Sequence, residues 1–411
     1  MKKKLLAVLM TATMVCSLAA CGSTSAPAET ADTQTAEAPA EAPAEAPAET
    51  AAEAPAEAPA ENAEASDMKV AMITDYGDIT DQSFNQSTYE ACKAFGESNG
   101  VDFTYYKPEG DSDAERVAMI DKAVADGYNV VVMPGYAFAG AIKETAEMYP
   151  DIKFVALDVS EYDLEGDSSD FNNQTYSNVF SAVYQEELPG YMAGYAAVKM
   201  GYTKLGFLGG MAVPAVIRYG YGFVQGADAA AAEAGTDVEI NYAYGNQFFG
   251  DADITAAMDT WYQGGTEVVF ACGGGIFTSA CEAAVKVDGK VIGVDVDQSG
   301  TIGSQYGVEG LCVTSAMKGL AATVDSTLTD LFDGNWSKHS GKVENLGIVS
   351  GDDPSLNYVQ LPTDTWTMKN FTIDDYKALV SDMNSGKITV DSAIEAMPST
   401  TIKVTEFDNI H

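Results

Sequence analysis

The stretch from Asp75 to Asn85 brings together side chains that could bind one small molecule. It holds two acidic residues, Asp75 and Asp81, followed by the ring of Phe84 and the amide of Asn85. A carboxylate accepts hydrogen bonds from hydroxyl groups, a ring stacks on a planar ligand, and an amide both donates and accepts. Together these residue types predict a binding site for a polar ligand with a planar part. Each residue taken alone is equally typical of turn or core chemistry.

A strand, a turn and a helix must position these side chains. Val70–Ile73 is a continuous apolar run, which is typical of a strand buried on both faces. After the turn, Asp81 or Ser83 can cap a helix that begins near Phe84. Ligands of open parallel sheets bind beyond the carboxyl ends of the strands, which is where this pattern puts the turn.

Apolar runs of the same kind recur along the rest of the chain, with helical patterns between them. They are Phe103–Tyr106, Val130–Met133, Phe154–Leu157, Val179–Val183, Leu205–Leu208, Val268–Ala271, Val291–Val294 and Leu311–Thr314. Alternating strands and helices predict an α/β fold with parallel sheets flanked by helices. This number of strands exceeds one doubly wound unit, and the chain of 411 residues is therefore expected to form two lobes.

Several of these strands end at polar residues or glycines. The residues at their ends are Asp158, Gly209-Gly210, Gly273-Gly274-Gly275, Asp295 to Gln298 and Thr314 to Lys318. Because the carboxyl ends of parallel strands meet at one edge of a sheet, these turns are expected to face a common crevice. The tips that carry Asp295 and Lys318 are expected to lie side by side, with the ammonium group close to the carboxylate.

Composition and missing motifs argue against several functions. The formal net charge is −39, from 61 acidic and 22 basic residues, which disfavours binding to nucleic acid or to anionic lipid surfaces. With two histidines, His339 and His411, the chain is poorly suited to a Ser-His-Asp triad or a histidine-rich metal site. No Gly-Lys-Ser/Thr follows the glycine run at 273–275, and no glutamate closes the Asp-x-Asp pairs. We therefore expect no metal and no cofactor.

The first 67 residues have the composition of a targeting signal followed by a tether. Residues 1–20 begin with three lysines and a short apolar segment, and they end in Leu-Ala-Ala before Cys21, which is similar to a lipoprotein cleavage box. Residues 21–67 repeat Glu-Ala-Pro-Ala and lack core-forming side chains, so a disordered tether is expected. Cys21 is expected to carry lipid and to hold the protein on the cell membrane, outside the cytoplasm, as its only membrane contact. The alternative is an ordinary secretory signal that ends near a cysteine.

Four stretches of the chain occur together in one known family. They are Asp-x-Gly-x-x-x-Asp-x-Ser-Phe-Asn-Gln at 75–86, Gly-Gly-Met-x-x-Pro-x-Val at 209–216, Ile-Gly-Val-Asp-Val-Asp-Gln at 292–298 and Thr-Ser-x-x-Lys at 314–318. On the basis of these stretches and the lipoprotein signal, residues 69–411 resemble the basic membrane protein family of lipoproteins. The members of that family are substrate-binding proteins of ABC importers, and several bind purine nucleosides.

The resemblance implies a fold, a function and partners. The fold is the type I periplasmic-binding-protein architecture, with one lobe at 68–182 plus 317–345 and the other at 183–316 plus 346–411. The function is to capture a small ligand between the lobes, in this case a purine nucleoside, and to deliver it to an ABC permease. The resemblance further implies a monomer without enzymatic activity.

The resemblance also implies a set of ligand contacts. Asp75 and Asn85 correspond to polar contacts, Phe84 to a stacking ring, Asp158 to a second carboxylate, Tyr219 and Phe248 to aromatics of the second lobe, Gly273 to a close-approach glycine, and Asp295 and Lys318 to ribose contacts. The chain departs from the family at Tyr76, where a glycine is common, and at Tyr219, where phenylalanine is usual. Tyr136 is a further aromatic candidate for the cleft.

Other functions remain open on the sequence alone. The ligand could be a pentose or a signalling metabolite, and the protein could present its liganded lobes to a receptor instead of a transporter. An enzyme is a third class, because nucleoside hydrolases hold calcium with an aspartate cluster and Asp75, Asp78 and Asp81 lie close together in the sequence. Release of ribose from inosine would distinguish a hydrolase from a binding protein.

Overall fold

The computed structural model of the chain describes residues 67–166 and 172–411. The expected signal at 1–20, the lipidation site Cys21 and all of the expected tether except Asp67 lie outside the described residues. Within the described part, none of the helices is both long and apolar enough to cross a membrane.

In the described part of the chain, a first sheet has six parallel strands in the order β11-β5-β4-β3-β1-β2. Its strands are β1 (Lys69–Ile73), β2 (Asp102–Tyr106), β3 (Val130–Pro134), β4 (Lys153–Leu157), β5 (Val179–Tyr184) and β11 (Lys342–Leu346). A parallel sheet needs a crossover between consecutive strands, which explains why a helix follows most of these strands.

The second sheet has seven described strands in the order β12-β10-β9-β8-β6-β7-β13, and all are parallel except β12. They are β6 (Lys204–Gly209), β7 (Glu239–Tyr244), β8 (Val268–Cys272), β9 (Lys290–Asp295), β10 (Cys312–Lys318), β12 (Val359–Gln360) and β13 (Lys403–Glu406). The last described strand, β13, pairs with β7 and is itself the edge strand on that side of the sheet.

Helices connect the strands of both sheets. Their bounds are Phe84–Asn99, Asp113–Ala125, Ala139–Thr145, Glu161–Glu165, Glu187–Lys199, Pro214–Ala234, Ala252–Gln263, Phe277–Ala284, Ser299–Tyr306, Leu320–Phe332 and Ile373–Asn384. Short 3-10 turns lie at Tyr136–Phe138, Trp336–Lys338 and Pro354–Leu356.

The two faces of the first sheet are both covered by helices. Met72 of β1 lies in one core cluster with Phe95, whereas its neighbour Ile73 lies in another cluster with Ile120. Successive side chains of a strand point to opposite faces, so both faces of β1 are buried. This burial explains the continuous apolar runs in the sequence, and the expected α/β fold with parallel sheets is confirmed.

The chain passes three times between the two sheets. It leaves the first sheet after Tyr184, returns after Lys318 and leaves again after Leu346. These strand ends lie one or two residues beyond the expected lobe boundaries at 182, 316 and 345. The boundaries themselves stay predictions, because sheet membership alone does not define a lobe.

Candidate ligand-binding cleft

A cavity of about 550 Å³ lies at the carboxyl ends of strands from both sheets. It is lined by all nine candidate residues, namely Asp75, Phe84, Asn85, Asp158, Tyr219, Phe248, Gly273, Asp295 and Lys318. The structure thus brings together residues that are up to 243 positions apart in the sequence, from Asp75 to Lys318. Whether each one contacts ligand stays a prediction.

The first turn is held by hydrogen bonds to Asp75. Its Oδ1 accepts from the backbone N–H groups of Tyr76 and Gly77, both at 2.7 Å. Burial raises the pKa of Asp75, although these two N–H groups oppose the shift. A Cβ at Gly77 would lie 2.4 Å from Nδ2 of Asn85, so the turn needs a glycine to let this amide approach.

Asp81 caps the helix that follows the turn. Its carboxylate accepts from the N–H groups of Ser83 at 2.9 Å, Asn85 at 2.9 Å and Gln86 at 3.0 Å. The helix begins at Phe84, as expected, and Ser83 makes no side-chain cap. Of the two expected caps, the structure therefore uses Asp81.

The hydroxyl of Ser83 instead reaches the second sheet. Its Oγ donates to Oδ2 of Asp295 at 2.5 Å. Two further contacts join the same two parts of the molecule: Nε2 of Gln298 donates to the carbonyl of Gln82 at 3.0 Å, and the hydroxyl of Tyr76 lies 3.2 Å from Sδ of Met211. The parts of the chain that carry the two sheets are therefore in contact beside the cavity.

Lys318 lies in a buried charge cluster beside the crossings. Its Nζ is 2.5 Å from Oδ2 of Asp158 and 3.0 Å from Oε1 of Glu186, while Nε of Arg218 is 2.6 Å from Oε2 of Glu186. The side chains of Lys318 and Glu186 are 2% and 0% exposed. Burial alone would lower the pKa of Lys318, but Asp158, Glu186 and Asp295 outweigh burial and raise it.

The ammonium group of Lys318 lies close enough to Asp295 to oppose the rise in pKa that burial gives that carboxyl, as expected, but its ion-pair partners are other carboxylates. The ammonium group pairs with Asp158 and Glu186, whereas Asp295 accepts from Ser83. The strands are neighbours, as expected, but Met317 is the residue of β10 in register with Asp295. Because side chains alternate between the faces of a sheet, Lys318 points away from the face that Met317 occupies.

Asp158 and Asp295 occupy matching places in the two sheets. Each follows or ends a buried strand, and their φ angles are +64° and +65°. This left-handed conformation is uncommon outside glycine, although aspartate tolerates it better than most residues. Backbone strain of this kind is concentrated at functional sites, so it supports a role for both carboxylates in the cleft.

Aromatic rings and a glycine shape the rest of the wall. Nζ of Lys318 lies 5.0 Å from the ring centroid of Phe84, and the buried hydroxyl of Tyr219 donates to the carbonyl of Ala316 at 3.2 Å. At Gly273 the φ angle is +143°, and a Cβ would lie 2.7 Å from the ring of Phe248. In this conformation the close approach of Gly273 is therefore to Phe248.

The cleft also contains residues that the sequence reasoning did not select. Glu187, Arg218 and Tyr184 line the cavity. Tyr76, singled out only as a departure from the family, lines it too, and its ring centroid is 6.4 Å from that of Phe248. Tyr136, the additional aromatic candidate, lines the cavity as well.

Three buried oxygen atoms on the cavity lack a donor. They are Oδ1 of Asn85, Oδ1 of Asp158 and Oε2 of Glu187, and none has a hydrogen-bond partner in the described part of the chain. Buried acceptors without partners cost free energy. A ligand rich in hydroxyl or amino groups would satisfy them, whereas a ligand with acceptors alone would not.

The aspartates of the first turn do not form a metal site. Asp75 and Asp81 accept from backbone N–H groups, while Asp78 pairs with Nζ of Lys107 at 2.9 Å. Across residues 67–166 and 172–411, no group of three or more His, Cys, Asp or Glu side chains could hold a metal ion.

Comparison with solved structures shows the fold. The chain matches an ABC transporter solute-binding protein from Aeropyrum pernix K1 with a TM-score of 0.60 and 20% identity, over 78% of this chain and 87% of that one. A second solute-binding protein, from Conexibacter woesei, matches with a TM-score of 0.59 and 22% identity, over 79% of this chain and 99% of that one. The expected periplasmic-binding-protein architecture is therefore confirmed.

Two similar sequences are named as a nucleoside-binding protein and a basic membrane protein. An ABC transporter nucleoside-binding protein, BmpA, from Lactococcus lactis is 28% identical over 344 residues, or 80% of this chain and 90% of that protein. Basic membrane protein B from Borreliella burgdorferi is 27% identical over 292 residues, or 69% and 79% of the two chains. The sequence model of the PnrA-like ABC transporter substrate-binding proteins (Bmp) matches residues 68–352, which is more than half of the chain. The chain therefore belongs to the PnrA-like family of ABC transporter substrate-binding proteins, as its resemblance to basic membrane proteins implied.

Proposed function

We propose that this protein is a lipid-anchored, extracytoplasmic binding protein that captures a purine nucleoside between its lobes. It delivers the nucleoside to an ABC permease and works as a monomer without enzymatic activity. The ligand contacts are Asp75, Phe84, Asn85, Asp158, Tyr219, Phe248, Gly273, Asp295 and Lys318.

The main support for this proposal is the set of buried oxygen acceptors on the cavity that have no hydrogen-bond partner in the described part of the chain. Asn85, Asp158 and Glu187 each offer a buried oxygen that needs a donor, and the rings of Phe84 and Phe248 line the same space. A purine nucleoside supplies hydroxyl donors on its ribose and a planar base for stacking, which contributes about 1–3 kcal/mol per base. The name of the Lactococcus lactis relative, a nucleoside-binding protein, supports the same ligand class.

Purine nucleosides are expected to stabilise the protein against heat more than any other ligand in a matched panel. A ligand that binds only the folded state adds about 2.7 kcal/mol at a concentration one hundred times its Kd. The test is a thermal-shift series with adenosine, guanosine, inosine, cytidine, uridine and ribose. A shift with ribose equal to that with nucleosides would favour the pentose alternative, and no shift with any of the six would contradict the proposal.

A hydrolase is the alternative that the first turn suggested. The carboxylates of Asp75 and Asp81 accept from backbone N–H groups, which disfavours the calcium-holding cluster that a hydrolase would need. Incubation with inosine, followed by an assay for free ribose, separates the two functions. Continuous release of ribose would mean that the protein is an enzyme.

Replacing Cys21 by serine is expected to release the protein from the membrane. Lipoprotein anchoring needs the cysteine thiol, and two or three acyl chains hold a protein stably where one chain is marginal. The measurement is detergent-phase partitioning of the full-length chain, with Cys16→Ser as the matched control, because Cys16 lies inside the expected signal. If Cys21→Ser stays in the detergent phase, the anchor is elsewhere.

A further inference from the structure

Glu187 occupies a place in the cleft where a glutamate has no obvious structural role. It is the first residue of the Glu187–Lys199 helix, and it is 6% exposed. It lines the cavity, and its Oε2 has no hydrogen-bond partner in the described ranges. A buried carboxylate normally needs a donor or a cation.

The neighbouring cations are already engaged. Arg218 and Lys318 both pair with Glu186, the residue before Glu187 in the chain. Among the ion pairs of the described chain, none includes Glu187. Because both cations pair with Glu186, Glu187 has no ion-pair partner of its own in the described part of the chain.

The backbone of Glu187 is held firmly in place. A Cβ at Gly222 of the Pro214–Ala234 helix would lie 2.1 Å from the carbonyl oxygen of Glu187, so the two helices are in close contact at this point. The N-terminus of a helix favours a carboxylate in its first turn, which orients Glu187 without removing its need for a donor. The backbone that carries this side chain is therefore held in place by the contact between the two helices.

We infer that Glu187 is a further ligand-contacting and specificity-determining residue, whose ionised carboxylate accepts a hydrogen bond from a hydroxyl or amino group of the bound nucleoside. This inference rests on the proposed function. Ligand affinity is therefore expected to rise from acidic to mildly alkaline pH, because protonation of the Glu187 carboxylate converts this acceptor into a donor. The other unpartnered oxygens, on Asn85 and Asp158, are acceptors too, which agrees with a ligand that donates.

The charged groups around Glu187 set the pH at which this change occurs. The pKa of Glu187 is raised to about 7, mainly by burial and to a smaller extent by Glu186, while its own backbone N–H and Arg218 oppose the shift. On the Glu161–Glu165 helix, Asp163 lines the same cavity, and Asn345 of β11 adds a neutral amide. Asp295 lies elsewhere on the cavity and titrates separately, since burial raises its pKa to about 6.

The test is the Kd of the best nucleoside at pH 6 and pH 8, measured by calorimetry. A group with a pKa near 7 is ionised to about one tenth at pH 6 and about nine tenths at pH 8, so its protonation weakens binding about tenfold. Protonation of Asp295 weakens binding by a further factor of about two between pH 8 and pH 6. Glu187→Gln keeps the shape and removes this titration, so the pH step of the variant is expected to be about tenfold smaller than that of the wild type. The contributions of Asp295, Asp75 and Asp158 remain in both proteins, and the variant is expected to bind several-fold more weakly at pH 8.

Stability gives a second readout, which tests whether the Glu187 carboxylate is buried without a stabilising partner in the unliganded protein. The folded-state pKa of Glu187 lies above its ordinary value of 4.5, so ionisation opposes folding as the pH rises from 4.5 to 7. Glu187→Gln is therefore expected to melt at a higher temperature than the wild type at pH 8, with a smaller difference at pH 5.5. The control is Glu282→Gln, an exposed residue on the Phe277–Ala284 helix, which should change neither binding nor its pH profile.

The outcomes separate this inference from the proposed function. If the wild type binds no nucleoside at either pH, the proposed function fails. If it binds, but Glu187→Gln keeps the wild-type affinity and pH profile, Glu187 is not a contact and the proposed function still stands. Loss of the pH step with higher unliganded stability supports the inference.

Discussion

Replacing Asp295 by alanine is expected to weaken nucleoside binding by about 2–5 kcal/mol, because ligand hydroxyls would lose a charged acceptor in a closed site. Asp295 ends β9, is buried and accepts from Ser83 across the cavity. Burial raises its pKa to about 6, so the carboxylate is still ionised in a calorimetry buffer at pH 8. An ionised group buried in this way opposes folding, and the melting temperature of the unliganded variant is therefore not expected to fall.

Two ligands and one control variant make this measurement specific. The wild type should prefer the nucleoside to its 2′,3′-dideoxy analogue, and Asp295→Ala should bind the two with similar affinity. Ser83→Ala removes the hydroxyl that reaches Asp295 but keeps the carboxylate, so this control should still discriminate between the ligands. Discrimination that persists in Asp295→Ala would remove Asp295 from the site.

Eight of the nine strands that the sequence predicted are largely buried, and the exception is the edge strand β2. Each of the nine apolar runs corresponds to an observed strand, and the ends differ by a few residues at most. The strands β7, β11, β12 and β13 were not predicted, because they lie at or near sheet edges and are partly exposed. Exposed positions break the continuous apolar run, and a short edge strand such as β12 is too brief to produce a pattern.

The site was predictable where a strand end fixes the position of a side chain. Asp75, Asp158 and Asp295 follow or end apolar runs, and all three line the cavity. In contrast, Glu187 lies in the first turn of a helix, where an acidic residue is ordinary. Its lack of a partner depends on how Glu186 engages both nearby cations, and no spacing in the sequence shows this.

The partners within the site were the least predictable feature. As expected, Lys318 lies close enough to Asp295 for each to shift the pKa of the other, but its ion-pair partners, Asp158 and Glu186, were not predicted. Strand order follows from the pattern, but the side-chain partner follows from register and from which sheet face each residue occupies. The contact between Ser83 and Asp295 further requires two lobes to meet, and local sequence carries no information on that meeting.

The largest loss of stability is expected for Lys318→Met, which should lower the free energy of unfolding by about 3–5 kcal/mol. The substitution removes the cation between Asp158 and Glu186 and leaves Arg218 as the remaining partner of Glu186. A buried carboxylate without a cation is costly when ionised. Asp158, which also carries an unpartnered Oδ1, is expected to bear most of this cost.

The loss should depend on pH with a defined sign. Burial already raises the pKa of Asp158 despite the opposing effect of Lys318, and without that ammonium group the pKa should rise further. A carboxylate with a raised folded-state pKa is penalised as the pH rises from its ordinary value towards the raised one. The deficit of Lys318→Met relative to the wild type should therefore be larger at pH 7.5 than at pH 5.5.

Urea denaturation of the unliganded protein at these two pH values measures the effect. The matched control is Lys338→Met, whose ammonium group lies 2.6 Å from Asp330 but is 58% exposed, and it should change the free energy of unfolding by about 0–1 kcal/mol. Combining Lys318→Met with Asp158→Asn removes the carboxylate that lost its cation. The double variant should therefore recover part of the lost free energy of unfolding, mainly at pH 7.5. If Lys318→Met lowers the free energy of unfolding no more than Lys338→Met does, the charge cluster does not stabilise the fold. The role of Lys318 would then be limited to ligand binding.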